Sequence, residues 1–113
     1  MSRILIIDDD RSVCEILASL LESLGHATTY ALSLREGLHV LSRDAFDLVF
    51  LDVRLPDGNG LMAIPQIKEL AASPEVIIIT GEGSPEGAQL AVENGAWDYL
   101  AKPLTRSQLN LST

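Results

Sequence analysis

At 113 residues, with 47% hydrophobic and 21% charged side chains, the chain has the composition of one globular domain with a single core. A net charge of −8, with eight scattered basic residues and no basic arm, argues against nucleic-acid binding by this segment. No apolar run approaches the ~20 residues that span a bilayer, and Ile4 to Ile7 is too short for a signal-peptide core, so a soluble, cytoplasmic protein with no membrane contact is expected.

Along the chain the period of the apolar pattern switches repeatedly between strand and helix. Residues 3–7, "RILII", predict a buried strand. Residues 11–24 place Val13, Ile16, Leu17, Leu20, Leu21 and Leu24 on one helical stripe, closed by Gly25. The lone cysteine, Cys14, cannot form an internal disulfide and reads as a partly buried residue on the flank of that stripe. "HATTYA" (26–31) is short and β-branched, as expected of a strand near the sheet edge. Ser33 with Glu36 is a capping-box start for a second helix that turns Leu34, Leu38 and Leu41 inward.

Residues 46–52 form the third predicted strand. "RLPDGNG" then reads as a loop with strong turn chemistry at Asp57-Gly58. A helix over about residues 60–71 carries Leu61, Ile64, Ile67 and Leu70. Pro65 inside it cannot donate to the Leu61 carbonyl, which predicts a kink or a late start. "EVIIIT" (75–80) is the fourth strand, and Ser84-Pro85 has the grammar of a helix start, running to Asn94 and closed by Gly95. "WDYLA" (97–101) is the fifth strand. Thr105 and Gln108 open a last helix with too few residues to complete it.

Such alternation predicts a parallel sheet with helices on both faces and a ligand site outside the carboxyl ends of the strands. Those ends supply Asp8, Asp9 and Asp10 from the first strand, Asp52 from the third, Thr80 from the fourth and Lys102 from the fifth. Singly, most have ordinary explanations. Asp10 suits the N-cap of the first helix, Asp9 a first-turn carboxylate, and Lys102 a solvated charge. Together they put three carboxylates, a hydroxyl and an ammonium on one edge. Clustered carboxylates repel and call for a cation. With hard oxygen ligands and no His or Cys in the set, Mg2+ (or Mn2+) is expected. Asp52 beside such an ion can act as a nucleophile toward phosphorus, with the metal, Lys102 and Thr80 stabilising phosphoryl oxygens.

The motifs "ILIIDDD", "DLVFLDVRLPDGNGL", "VIIITG" and "GAWDYLAKPL", in this order, resemble the receiver domain of bacterial two-component response regulators over essentially the whole chain. The last, with "TGEG", is most similar to receivers of nitrogen-regulation-type transcriptional activators. The resemblance implies a flavodoxin-like (βα)5 fold, a doubly wound five-stranded parallel sheet of order 2-1-3-4-5, occupying residues 1–113 as one receiver domain. It implies that Asp52 accepts phosphate from the phosphohistidine of a sensor histidine kinase. Asp9 would ligate Mg2+ directly, Asp8 largely through water, and the backbone carbonyl of Arg54 would complete the protein ligands. Lys102 would pair with the phosphoryl group, and the Lys102–Pro103 bond matches one that is cis in the family. Thr80 and Tyr99 would form the switch. The face of the fourth helix, fifth strand and fifth helix, including Trp97, would signal and support a homodimer.

The expected role is a switch controlling an attached output domain, with transcription regulation as its field, and not a turnover enzyme. Kinase specificity is expected on Arg11, Cys14, Glu15 and Ala18, on or near the exposed side of the first helix, and on the loop after Lys102. Several features depart from the pattern. Pro65 interrupts the third helix, Arg54 puts a long cation at the site entrance, and the truncated last helix marks the chain as a piece of a longer regulator or an excised domain with an incomplete dimer surface. A stand-alone phosphorelay receiver is the alternative. A Mg2+-dependent aspartyl-phosphate hydrolase lacks the second acid, because Arg54 stands where one is needed. A flavin or nucleotide binder lacks a Gly-rich phosphate loop after the first strand.

Overall fold

The computed structural model describes residues 2–81, 85–102 and 104. Its elements follow in the order β1 (Arg3–Ile7), α1 (Arg11–Ser23), β2 (Ala27–Ala31), α2 (Leu34–Arg43), β3 (Leu48–Asp52), α3 (Gly60–Lys68), β4 (Glu75–Thr80), α4 (Pro85–Glu93) and β5 (Asp98–Ala101). The five strands pair in parallel in the order β2-β1-β3-β4-β5, the doubly wound arrangement expected from the sequence. The reversal of order lies between β1 and β3, so the carboxyl ends of those two strands flank the crevice where such sheets bind ligands.

Strand alternation divides the interior into two layers. Leu5, Ile7, Val49, Leu51, Val76 and Ile78 pack on one face with Leu41 of α2, Ile64 and Ile67 of α3, and Ala91 of α4. Ile4, Ile6, Leu48, Phe50, Ile77 and Ile79 pack on the other with Cys14, Leu17, Ala18 and Leu21 of α1. Each fully buried Ile or Leu contributes about 1.5–3 kcal/mol of transfer free energy. The central strands β3 and β4 are therefore held from both sides, and their last residues inherit that rigidity.

Helix starts follow the local chemistry. Asp10 caps α1, its carboxylate accepting from the Ser12 N–H at 2.9 Å, and Ser33 caps α2 by accepting from the Glu36 N–H at 3.1 Å. Gly25 closes α1 with φ of 94° and Gly95 follows α4 with φ of 100°, a region costly for any residue with a Cβ.

Several expectations need correction. β3 begins at Leu48, although Phe46 is still buried. The segment read as a loop with turn chemistry at Asp57-Gly58 pairs Arg54–Leu55 with Gly58–Asn59 as a short antiparallel rung, so the turn falls on Pro56-Asp57 and Gly58 belongs to the rung. α3 starts at Gly60 and contains Pro65, so the proline does not delay the start. It ends early, at Lys68, where bonds to the residue three back (the Leu70 N–H to the Ile67 carbonyl, 3.2 Å) tighten the last turn. Cys14 and Ala18, assigned to the accessible side of α1, are 0% and 8% exposed, whereas Ile16, assigned to the stripe, is 63% exposed. The helix rolls its 14–17–18–21 face onto the sheet, which leaves Arg11 and Glu15 accessible. Pro103 and the last helix from Thr105 lie outside the described residues, and with them the cis-peptide and truncation expectations.

Candidate functional site: an acidic pocket at the carboxyl edge

Asp8 directly follows β1. Its backbone N–H donates to the Ala31 carbonyl at 3.1 Å, extending the β1–β2 pairing, so the side chain starts from a fixed backbone. The carboxylate is fully buried. Oδ1 accepts from the Asp10 N–H at 2.9 Å, while the Asp8 carbonyl accepts from the Cys14 thiol at 3.3 Å. Asp9, next to it, is exposed. Asp52 ends β3 opposite Ile79 and is 5% exposed. One carboxylate oxygen from each of Asp8, Asp9 and Asp52 lies within 4.8 Å of the others.

Lys102 completes the cluster. The Thr80 carbonyl accepts from its backbone N–H at 2.8 Å, which carries the β4–β5 pairing past the strand end. Its Nζ lies 2.6 Å from Asp8 Oδ2 and 3.6 Å from Asp52 Oδ1. The first contact is a close ion pair to a fully buried carboxylate. Among the described residues, one ammonium lies within 4 Å of two of the three clustered carboxylates, so these groups together keep an excess of negative charge.

Burial pushes the Asp52 carboxyl up to about 6, reinforced by the Asp8 charge and opposed by Lys102 and the Arg54 backbone N–H. Burial opposes the charge on Lys102, but Asp8 and Asp52 outweigh it and hold the ammonium above its ordinary range. The Cys14 thiol, behind Asp8, is pushed up to about 12 by burial and by the Asp8 charge, so it is an inert core group. Three carboxylate oxygens within 4.8 Å of one another, an all-oxygen set with surplus negative charge, suit a hard divalent cation.

The structure thus brings together Asp8, Asp9, Asp52 and Lys102. Thr80, 6% exposed, ends β4 one residue beyond the partner of Asp52. Arg54 opens the rung after Asp52, with its side chain exposed. Tyr99 sits in β5 opposite Ile78, half-buried against the α2–α4 core, and Trp97 before it is 62% exposed.

Three residues escaped the sequence reading. Gly60 presses on the site from behind: a Cβ there would collide with the Asp52 carbonyl oxygen, and its N–H donates to the Val53 carbonyl at 2.8 Å. Gly37 admits Ile7, the residue before Asp8, against α2, since a Cβ would meet Ile7 Cγ1 at 2.7 Å. Asp57, read only as a turn former, accepts from the backbone N–H groups of Leu34 (2.9 Å) and Arg35 (2.8 Å) at the start of α2. The turn residues signal a bend, but no local pattern reveals what the bend touches.

A five-stranded parallel sheet with carboxylates and a lysine gathered at its carboxyl edge defines the class as a CheY-like α/β domain. Residues 4–112 match the family described as the response regulator receiver domain, and the chain belongs to that family. It is 42% identical over 101 residues to the transcriptional regulatory protein ZraR of Escherichia coli (strain K12), covering 89% of this chain and 23% of ZraR. The chain spans about a quarter of the length of the curated relatives it matches. The solution structure of the beryllofluoride-activated NtrC4 receiver domain dimer superposes with a TM-score of 0.91 at 36% identity, covering 97% of this chain and 91% of that one. These relatives agree with the nitrogen-regulation-type resemblance read from the motifs. A response regulator protein from Burkholderia pseudomallei, crystallised with a phosphorylated aspartic acid, calcium ion and citrate, gives a TM-score of 0.91 at 29% identity, covering 99% of this chain and 66% of that chain.

Proposed function

We propose that this receiver domain is a phosphorylation switch in which Asp52 takes a phosphoryl group from a sensor histidine kinase. The observation that carries the reading is the convergence of Asp8, Asp9, Asp52 and Lys102 from separate strand ends, with Asp52 immobilised at the end of a strand buried on both faces. An Asp52 carboxylate oxygen attacks phosphorus, forming a P–O bond as the P–N bond to the donor imidazole breaks and the nitrogen leaves with its electron pair. Lys102, already 3.6 Å from Asp52 Oδ1, is placed to meet the negative oxygens of the incoming group. Asp8, Asp9, Asp52 and the Arg54 carbonyl would hold Mg2+, which supplies charge neutralisation at the phosphoryl oxygens. Burial of Asp52 deprives its charge of solvent, so an ion or a phosphoryl group with counter-charges finds it poorly satisfied and reactive.

Thr80 and Tyr99 would report the phosphoryl state. Thr80 adjoins the site, and Tyr99 is packed in the neighbouring strand at the edge of the sheet. A change in their packing shifts the face of α4 and β5, where Leu90, Val92 and Trp97 already expose apolar surface suited to a homodimer or an output domain. The exposed Arg11 and Glu15 on α1 are the accessible members of the kinase-recognition set. The domain is a signalling switch and not a turnover enzyme, with its output domain outside this segment and regulation of transcription as the controlled process. Incubation with acetyl phosphate and Mg2+ should add one phosphoryl mass to the wild type and none to Asp52→Asn. Continuous phosphate release over many turnovers would favour the hydrolase instead.

A further inference from the structure

The loop that follows Asp52 is anchored at two levels. At its base the Gly60 N–H donates to the Val53 carbonyl at 2.8 Å, and the Arg54–Leu55 and Gly58–Asn59 rung holds its sides together. At its tip it is tied sideways to another element. Both Asp57 carboxylate oxygens are used: Oδ1 accepts from the Leu34 N–H at 2.9 Å and Oδ2 from the Arg35 N–H at 2.8 Å. Ser33 already serves the next two donors of α2, with its hydroxyl accepting from Glu36 at 3.1 Å and its carbonyl from Gly37 at 3.0 Å. The first turn of α2 is thus capped jointly, by its own Ser33 and by a residue of the loop next to the phosphoacceptor. Gly58 allows the approach, since a Cβ there would stand 3.0 Å from Leu34 Cδ2. The same helix touches the other arm of the site, because Gly37 lies on Ile7, which precedes Asp8.

We propose that Asp57 is a positioning residue: it fixes the loop carrying the Arg54 carbonyl and couples occupancy of the acidic pocket to the N-terminus of α2. This rests on the reading of that pocket as a Mg2+ and phosphoryl site. A loop pre-positioned by Asp57 loses less freedom when the ion binds. Linkage then requires the ion, once bound, to strengthen the Asp57 clamp by the same factor.

The test uses the full chain as wild type, Asp57→Ala and Asp57→Asn, with Mg2+ affinity measured calorimetrically at low and high salt. Amide hydrogen exchange of Leu34 and Arg35 is followed with and without Mg2+. Asp57→Ala should weaken Mg2+ binding about threefold to tenfold, in line with the loss of a good helix cap. The deficit should persist at high salt, where a through-space charge effect is screened. Asp57→Asn, which keeps one carbonyl acceptor, should recover part of it. In the wild type, Mg2+ should slow exchange at Leu34 and Arg35, and in Asp57→Ala it should not. Unchanged affinity in Asp57→Ala, a deficit that salt removes, or wild-type amides indifferent to bound Mg2+ would each overturn the coupling while leaving the metal site intact. The last of these needs no variant to fold. A wild type that binds no Mg2+ would overturn the pocket reading and the coupling with it.

Discussion

Asp52→Asn should make the metal-free protein more stable at neutral pH. Burial raises the Asp52 carboxyl from 3.8 to about 6. Between those values the native state holds a proton that the unfolded chain has lost, so stability falls as pH rises through the window and stays low above it. A shift of about two pH units corresponds to about 3 kcal/mol, an upper figure because the site relaxes. With Asn in place the penalty is gone, and a net gain of about 1–3 kcal/mol is expected at pH 7.5, or about 4–12 °C in Tm for a domain of this size. The assay is thermal and urea unfolding of both proteins in EDTA across the pH range, taking the difference so that other titrations cancel. The difference should be largest at pH 7.5 and vanish near pH 4. Mg2+ should shrink it by stabilising the wild type more than the variant. A difference independent of pH, or a less stable Asp52→Asn at pH 7.5, would refute the claim that this carboxylate is held at a cost.

Lys102→Met removes the only cation within 4 Å of Asp8 and Asp52 among the described residues, and should destabilise the metal-free fold by about 2–4 kcal/mol at pH 7. That loss, read by urea unfolding, should diminish below the Asp52 transition. Gly60→Ala sets a methyl against the Asp52 carbonyl, which backbone pairing prevents from moving, and should cost about 3 kcal/mol or more with disturbed amide signals at Asp52 and Val53. Cys14 should resist thiol-reactive disulfide reagents at pH 8 in the folded state and react fully in urea, because its thiol titrates near 12 and is 0% exposed. Fast labelling of the native protein would contradict the packing of α1.

Strands were the most legible part of the sequence. Runs such as Ile4 to Ile7 and Val76 to Ile79 leave no polar face, and each ends abruptly on the residue that reaches the site. The carboxyl-edge rule puts Asp8, Asp52, Thr80 and Lys102 on one edge of the sheet, and there the Lys102 ammonium lies within 4 Å of Asp8 and Asp52. Helix orientation was less legible. Ile16 and Cys14 differ by half a turn, and the choice between them depends on how α1 rolls against Ile4, Phe50 and Ile77, which helical periodicity leaves undetermined. Close approach was not legible at all. Gly60 and Gly37 look like ordinary helix residues until the Asp52 carbonyl and Ile7 are seen against them. Asp57 shows the same limit for polar groups, since its turn chemistry is local and its partners on α2 are not.

The central claim is that Asp52 is the phosphoacceptor. Its most direct test is to treat the protein with acetyl phosphate and Mg2+, reduce with borohydride, digest, and locate the homoserine that reduction of an acyl phosphate leaves behind. Homoserine at position 52, absent when Mg2+ is withheld, is the predicted result. Homoserine at Asp8 or Asp9, or none in a folded sample, would contradict it.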